Sequence, residues 1–158
     1  MTETTLNLTP EQLALACSEA MHENDYATQA LGMRILESTP GRALLSMVVR
    51  NDMLNGHAVC HGGFMFALAD SAFAHACNNT NKATLASGCS IDFLASAQEG
   101  DLLTAEARER SRSGRTGVYD VEIHRQDGTL IAVFRGRSYQ IRGSVLPEAV
   151  SPTEEKTA

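Results

Sequence analysis

The chain has 158 residues, 43% of them hydrophobic, a length and composition that suit one globular domain with a sizeable core. Its formal net charge of −6 argues against a nucleic-acid partner, because a phosphate-binding surface needs an excess of basic residues. No apolar stretch approaches the ~20 residues of a membrane helix, and the acid Glu3 stands where a secretory signal carries positive charge. We therefore expect a cytoplasmic protein with no membrane partner.

Helix-like and strand-like patterns alternate along the chain, and the first helix has a clear start. Thr9 is a suitable cap, Pro10 fits the first helical position, and Gln12 completes a capping box. The sequence Ser38-Thr39-Pro40-Gly41 predicts a turn between the first two strands. The predicted elements, in chain order, are a helix over 10–22, strands over 31–36 and 42–50, a loop over 51–60, a helix over 62–78 that a polar run at 78–81 ends, and strands over 84–94, 102–111, 116–125 and 130–141.

These elements form one predicted domain over residues 9–143. Residues 1–8 are expected to be a flexible N-terminus, and residues 144–158, rich in Ser, Thr, Glu and Pro, a disordered tail. Five to six mostly antiparallel strands and one long apolar helix predict an α+β protein whose sheet wraps around the central helix, the architecture called a hotdog fold. We expect the side of the helix that the sheet leaves open to face another copy of the chain.

The cysteines show no close pairing motif along the sequence. Three of the four lie in apolar surroundings, which suit free buried thiols. We therefore expect no disulfide framework. The four cysteines are Cys17, Cys60, Cys77 and Cys89.

The predicted central helix carries the strongest functional signal. Between Phe64 and Cys77 the only charged residue is Asp70, and an ionised group inside an apolar helix is costly unless something compensates for it. The helix begins with Gly62 and Gly63, whose backbone N–H groups can hold an anion or a polarised carbonyl. A buried acid and an exposed N–H cradle together predict an active site.

The spacing of these groups predicts how such a site is assembled. In a regular helix, Asp70 lies eight residues after Gly62, or ~12 Å along the axis. The reacting carbonyl must sit ~3 Å from its N–H donor, with the attacking group in similar reach, so one chain cannot supply both groups to one substrate atom. Two antiparallel helices related by a two-fold axis can do so, which predicts an active site shared across a homodimer.

The residue types predict the chemistry. A helix-start N–H stabilises the oxyanion that develops when an acyl carbonyl is attacked, and a desolvated carboxylate supplies a nucleophile or a general base for water. Asn55 and His61, just before the helix, can hydrogen-bond a substrate or orient the loop, and Ser71 can hold a water. The simplest reaction for these groups is hydrolysis of an activated ester or thioester.

Longer runs of sequence point to a known family. They are Met53-Leu54-Asn55-Gly56-His57-Ala58-Val59-Cys60-His61-Gly62-Gly63, Leu68-Ala69-Asp70-Ser71-Ala72-Phe73-Ala74, Ser90-Ile91-Asp92-Phe93-Leu94, Thr116-Gly117-Val118-Tyr119-Asp120 and Phe134-Arg135-Gly136-Arg137-Ser138. Together they resemble the hotdog acyl-CoA thioesterases, and within them the phenylacetic acid degradation (PaaI-type) thioesterases. The resemblance covers about residues 15–143.

This resemblance implies roles for the residues already singled out. Asp70 would be the nucleophile or general base, the Gly62 N–H would polarise the carbonyl, and Asn55 and His61 would orient the substrate. The substrate would be an acyl-CoA with a small aromatic acyl group, and no cofactor would be needed because coenzyme A is part of the substrate. The protein would form homodimers that pair into a tetramer.

The resemblance also implies contacts with the substrate and its nucleotide. In relatives, the nucleotide of coenzyme A contacts strand ends near a turn of this sequence, with Arg115 as the expected phosphate contact. Where some relatives position water with a strand hydroxyl, this sequence has Ala86, with Ser87 and Ser90 close by. The water-positioning role therefore stays unassigned, and Ser71 is a substitute candidate. The substrate-binding residues implied in this way are Gly63, Ser90, Gly114, Arg115 and Thr116.

Other interpretations of the same residues stay open. Asp70 can be a structural acid, protonated in the core. His57, Cys60 and His61 have soft ligand atoms close together, but no further Cys or His completes a four-ligand metal set. Cys60 as a nucleophile would need a paired histidine, and the adjacent His61 is badly placed for that role. His75 lies off the Asp70 face and is expected in the core or an interface.

Eleven of the thirteen basic residues are arginines, and four of these fall between residues 108 and 115. Arginine suits phosphate and carboxylate recognition, so this run is either a solvated strand face or a site for a small phosphate-bearing ligand.

Two functions outside hydrolysis also bind acyl thioesters. A hotdog hydratase needs an acid–base pair aimed at alkene carbons, and the Asp-to-His arrangement typical of such enzymes is not evident here. A non-catalytic acyl-CoA sensor would keep the pocket and lose the acid, so Asp70 argues against it.

Overall fold

The computed structural model describes residues 8–147, and residues 1–7 and 148–158 lie outside that range. Nearly all of the predicted flexible N-terminus and most of the predicted tail fall outside the described residues, so both stay predictions. The described part of the tail, residues 144–147, lies beside Asn81, whose side-chain oxygen accepts a hydrogen bond from the Leu146 N–H at 2.8 Å.

The described chain forms three α-helices, one short 3-10 turn and six strands. These are α1 (Pro10–Glu23), α2 (Tyr26–Ala30), β1 (Arg34–Thr39), β2 (Arg42–Val48), the 3-10 turn Asn51–Met53, α3 (Gly62–Asn78), β3 (Thr84–Phe93), β4 (Leu102–Ser113), β5 (Thr116–Arg125) and β6 (Leu130–Gln140). The predicted capping box is present, because Thr9 Oγ1 accepts from the Gln12 N–H while the Gln12 side chain accepts from the Thr9 N–H. The bounds of α3 and β5 match the predicted ones.

The predicted strand over 31–36 is wrong at its start. The unpredicted helix α2 occupies the chain just before it, and Asp25 caps that helix by accepting from the Thr28 N–H at 3.0 Å. Gly32 then adopts a left-handed φ of +67°, which reverses the chain so that pairing begins only at Arg34. The strand also continues to Thr39, into the residues predicted as a turn.

The six strands form one sheet in the order β1-β2-β4-β5-β6-β3, and every neighbouring pair is antiparallel. Helix α3 packs across the inner face of this sheet, chiefly against β2, β4 and β5. The largest fully buried side chains come from both layers and include Tyr119, Phe73, Leu45, Met47, Leu68 and Ile123. The predicted α+β hotdog architecture, a sheet wrapped around one long helix, is confirmed.

The C-terminal end of α3 is fixed by side-chain amides, as the predicted polar stop at residues 78–81 requires. Asn79 Nδ2 donates to the carbonyl oxygens of Thr39 at 2.7 Å and Arg42 at 3.0 Å, and its Oδ1 accepts from the Gly41 N–H. These bonds tie the end of the helix to the β1–β2 turn.

The predicted state of the cysteines also agrees with the structure. All four thiols are free, and Cys17, Cys60 and Cys77 are buried. Within residues 8–147, no helix is long and apolar enough to cross a membrane.

Candidate active site

The first turn of α3 leaves one backbone N–H uncommitted. His61 is the N-cap, and its Nδ1 accepts from the Gly63 N–H at 2.9 Å, while the His61 carbonyl accepts from the Phe64 N–H at 3.0 Å. The Gly62 N–H has no acceptor among residues 8–147. Of the two predicted glycine donors, Gly62 is therefore the one available to a carbonyl oxygen, and the N–H of Gly63 is already used by the cap.

Close packing explains why the first residue of this helix is a glycine. A Cβ added at Gly62 would lie 2.8 Å from Cζ of Phe93, the last residue of β3. The aromatic ring can therefore approach the helix start only because no side chain is there. Beside the two residues lies a cavity of about 420 Å³, whose lining also includes Asn55, Met65, Leu94 and Ser96.

Asn55 organises the loop that leads into α3. Its Oδ1 accepts from the His57 N–H at 2.9 Å and from the Val59 N–H at 3.4 Å, so the amide oxygen is committed to the loop. The Nδ2 group has no acceptor within residues 8–147 and can donate to a ligand in the cavity. The structure therefore brings Asn55 and Gly62 together at one cavity, as the sequence predicts.

Asp70 lies in the middle of α3, on the side that the sheet does not cover. Gly63, Ala67, Ser71 and Ala74 share this face at helical spacing, and none of these residues is fully buried. Burial raises the pKa of the Asp70 carboxyl, and within residues 8–147 no charged group or hydrogen bond offsets that cost. A single chain leaves this acid half-buried and unpaired.

The geometry that underlies the dimer prediction is present. α3 is one regular helix from Gly62 to Asn78, so the Gly62 N–H and Asp70 of one chain stand ~12 Å apart along the axis. The cavity beside Gly62 does not include Asp70. Both groups can therefore act on one carbonyl only if they come from different chains.

Strand β3 places one predicted site residue, Ser90, on the outer face of the sheet, away from Asp70. Ser90 pairs with Arg135, and Arg135 forms an ion pair with Asp120 on the outer face of the sheet. Cys89, the preceding residue, points inward and packs against the core, near enough to Asp70 for their charges to interact. Alternation of side chains along a strand explains why neighbouring residues differ, and the pairing register with β6 decides which of them faces inward.

Gly114, Arg115 and Thr116 lie together in the exposed β4–β5 turn. Gly114 has a φ of +58°, which favours glycine, and Thr116 Oγ1 donates to the Ser113 carbonyl. The Arg115 carbonyl accepts from the Gln140 N–H, while its side chain is exposed. This turn lies toward the C-terminal end of α3, away from the cavity at Gly62.

The alternative chemistries find little support among the described residues. Residues 8–147 contain no group of three or more His, Cys, Asp or Glu side chains arranged to hold a metal ion. Cys60 is buried, and burial raises the pKa of its thiol, which disfavours a thiolate nucleophile. His75 is a core residue, as expected, and only 1% of it is exposed.

A six-stranded antiparallel sheet wrapped around one helix, with an uncommitted N–H at its start and an unpaired acid at its middle, defines a hotdog-fold hydrolase of activated acyl groups. A family profile for the thioesterase superfamily matches residues 57–132. The chain belongs to this superfamily and is a thioester hydrolase.

Similarity to individual proteins extends well beyond that segment. The acyl-coenzyme A thioesterase PaaI of Escherichia coli K12 is 48% identical over 132 residues, which cover 84% of this chain and 94% of the relative. The structure of E. coli PaaI, from the phenylacetic acid degradation operon, has a TM-score of 0.85 and covers 86% of this chain and 99% of its own, at 46% identity. A mutant structure of the phenylacetic acid degradation protein PaaI of Thermus thermophilus has a TM-score of 0.72 at 38% identity. The match covers 74% of this chain and 100% of the T. thermophilus chain. The predicted resemblance to PaaI-type thioesterases is confirmed.

Proposed function

We propose that this protein hydrolyses acyl-coenzyme A thioesters to the free acid and coenzyme A, in the catabolism of phenylacetate or a related aromatic acid. Phenylacetyl-CoA and hydroxyphenylacetyl-CoA are the proposed substrates. The observation that carries the proposal is that one helix bears both a Gly62 N–H without an acceptor in residues 8–147 and the half-buried Asp70, which has no charged or hydrogen-bonding partner there. The names of the E. coli and T. thermophilus relatives support the choice of acyl group.

The reaction follows from these two groups. The Gly62 N–H donates to the thioester carbonyl oxygen and stabilises the negative charge that develops there. Asp70 takes a proton from water while the water oxygen attacks the carbonyl carbon, and the raised pKa makes the carboxylate a stronger base. The C–S bond then breaks, and the departing thiolate receives the proton that Asp70 holds. Direct attack by the carboxylate, through an anhydride that water opens, uses the same groups.

Shape and lining of the Gly62 cavity support a small aromatic acyl group. Met65, Phe93 and Leu94 supply apolar walls, while the polar groups of Asn55 and Ser96 stand at one side. A volume of about 420 Å³ accommodates a phenyl ring together with the thioester. We propose that the ring packs near Phe93 while Asn55 Nδ2 and the Gly62 N–H hold the carbonyl end.

We further propose that the active unit is a homodimer with shared sites. β3 is an edge strand of the sheet, so its outer row of backbone groups is open to pairing with a second β3. The open face of α3, with Asp70 at its centre, lies on the same side of the molecule as the inner face of that strand. An antiparallel partner helix there would bring the partner's helix start near Asp70. Pairing of two dimers into a tetramer stays a prediction.

A panel of thioesters tests the reaction and the acyl group together. Purified protein is incubated with phenylacetyl-, hydroxyphenylacetyl-, benzoyl- and short aliphatic CoA thioesters, and released coenzyme A is followed with a thiol reagent. We expect kcat/KM for phenylacetyl- or hydroxyphenylacetyl-CoA to exceed that for the aliphatic esters by about tenfold or more. Binding without release would indicate a sensor, and addition of water to an enoyl-CoA without release would indicate a hydratase.

Mixing two inactive variants tests the shared site. One partner carries Asp70→Asn, and the other carries Asn55→Ala with His61→Ala. After the two are unfolded and refolded together, about half of the dimers are hybrids with one intact site, so roughly a quarter of wild-type activity should return. Hybrids confirmed by mass spectrometry but without activity would show that each site draws on one chain.

A further inference from the structure

A second cavity, of about 560 Å³, opens at the C-terminal end of α3. Helix α3 ends at Asn78, ~12 Å along the axis after Asp70, and Thr80, just beyond that end, lines the cavity. Four arginines line the cavity, Arg42, Arg108, Arg110 and Arg112, together with one carboxylate, Glu109. We call it the arginine cleft. It contains four of the thirteen basic residues of a chain whose net charge is −6.

A β-bulge in β4 brings these arginines together. Arg108, Arg110 and Arg112 alternate along the strand, and in a regular strand all three would stand on the outer face of the sheet. The pairing register with β5 shifts between Glu109 and Ser111, which moves Arg112 to the helix side. There its Nη1 approaches Thr80 Oγ1 at 3.4 Å. The cleft therefore has arginines on two sides rather than on one.

Two of the four guanidinium groups, those of Arg108 and Arg110, have N–H donors that no side chain in residues 8–147 accepts. Arg42 is committed to the carboxylates of Glu37 and Glu106 and is only 25% exposed. Arg108 contacts Glu106 through Nη2 alone, and Arg110 contacts an outer-face carboxylate through Nε alone, with 57% and 61% of their side chains exposed. Within residues 8–147, their other N–H groups have no acceptor in a protein side chain.

The single carboxylate in the cleft is partly neutralised by the protein itself. Glu109 accepts a hydrogen bond from the buried Tyr119 hydroxyl at 2.8 Å and lies 3.9 Å from Nε of Arg112. Tyr119 therefore draws the carboxylate inward, toward the core. The cleft therefore has an excess of positive charge, which its arginines supply.

We infer that the arginine cleft binds a phosphate or pyrophosphate group. Planar guanidinium forks match phosphate oxygens with two parallel hydrogen bonds, and several forks around one cavity suit a multiply charged anion better than a single carboxylate. The phosphate can belong to the coenzyme A end of a substrate or to a free phosphorylated metabolite. The cleft does not include Asp70 and lies beyond the end of α3, ~12 Å along the axis from that residue, so its occupant does not touch the reacting carbonyl.

Direct binding of pyrophosphate to the full chain tests this inference without any turnover, so the result does not depend on the proposed thioesterase reaction. Isothermal titration calorimetry at low ionic strength should show saturable binding that weakens as salt is added. The double variant Arg110→Gln with Arg112→Gln should bind at least about tenfold more weakly. Arg34→Gln, which removes a positive charge from exposed β1, is the control and should bind like the wild type.

Unsaturable titration of the wild-type protein, or equal losses in the double variant and in Arg34→Gln, would overturn the inference. Thermal melting of each variant checks that the fold is kept, since all three arginines are exposed. Competition then distinguishes the two sources of phosphate. Displacement of pyrophosphate by coenzyme A, and more weakly by dephospho-coenzyme A, assigns the cleft to the substrate. Simultaneous binding of pyrophosphate and coenzyme A assigns the cleft to a separate phosphorylated ligand.

Discussion

Asp70 and His75 lie on different faces of α3, and the two side chains differ in what surrounds them. Asp70 is half-buried on the face that the sheet leaves open, and burial raises its pKa. His75 is buried on the face that packs into the core, where burial lowers its pKa to about 4. Neither ring nitrogen of His75 has a hydrogen-bond partner within residues 8–147. Desolvation drives both groups toward their neutral forms.

The comparison separates a desolvated group that a substrate can reach from one that it cannot reach. Asp70 belongs to a face whose other members are small, so another chain or a substrate can approach it closely. His75 is enclosed and can affect only stability. Burial is the largest cause of the lowered pKa of His75. The charge of Asp25 partly offsets this lowering, and that of His22 adds to it. The following predictions test whether the open face is catalytic and the buried face structural.

The largest effect is expected from Asp70→Asn, which should lower kcat by about 10²-fold or more. The amide is nearly isosteric with the carboxyl but cannot act as base or nucleophile, so the melting temperature should be unchanged or higher. Steady-state kinetics on phenylacetyl-CoA measures the change. Asp92→Asn, an exposed carboxylate on β3, is the control and should keep wild-type kcat. Near-wild-type turnover in Asp70→Asn would remove the open face from catalysis.

The buried face should be sensitive to acid. The pKa of His75 is about 4 in the folded state, below the ordinary value of 6.5, so folding favours the neutral ring. Its stabilising contribution is complete above pH ~6.5 and is lost as the pH falls toward 4. Urea unfolding should show a loss of about 2 kcal/mol between pH 7 and pH 5 from this residue.

Replacement of His75 by Leu should remove that pH-dependent loss, because no ring is left to take up a proton. His57→Gln, an exposed histidine in the loop before α3, should leave the loss in place. An unchanged pH dependence in His75→Leu would mean that other groups cause the acid sensitivity.

The helix start on the open face should be sensitive to a single methyl group. In Gly62→Ala the new Cβ would meet Phe93 at 2.8 Å, so the ring or the helix start must move and displace the N–H donor. We expect kcat to fall by about tenfold. Gly56→Ala is the matched control, because no atom lies within 4 Å of its added Cβ. Equal activity of the two variants would show that the position of the Gly62 N–H is not critical.

The smallest effect is expected from the cap of α3. His61→Ala removes the acceptor for the Gly63 N–H and should destabilise the protein by about 1 kcal/mol, while His61→Asn should restore most of that stability. Thermal unfolding of both variants measures this difference. If Asn restores stability but not kcat/KM, the ring also orients the substrate. Equal melting temperatures for all three proteins would mean that the cap is unimportant.

Local signals made much of the fold predictable. The capping box of Thr9 and Gln12 and the polar stop after α3 depend on residues close together in sequence, so the helix bounds agree with the structure. The start of β1 was missed because a single left-handed glycine and a five-residue helix decide it, and neither has a strong sequence pattern. In the candidate site, residue type and spacing alone predicted roles for Asn55, Gly62 and Asp70, and those roles stay predictions.

The sequence by itself determined the central helix, its lone acid, its glycine start and the ~12 Å between them, because helix geometry is periodic and local. Only the tertiary structure decided which donors and faces are available. It showed that His61 occupies the Gly63 N–H, that Ser90 faces away from Asp70 while Cys89 faces toward it, and that a bulge turns Arg112 toward the helix. These outcomes depend on pairing register and on contacts between residues distant in sequence. A shift of one residue in register reverses every side chain of a strand, and no local pattern records it.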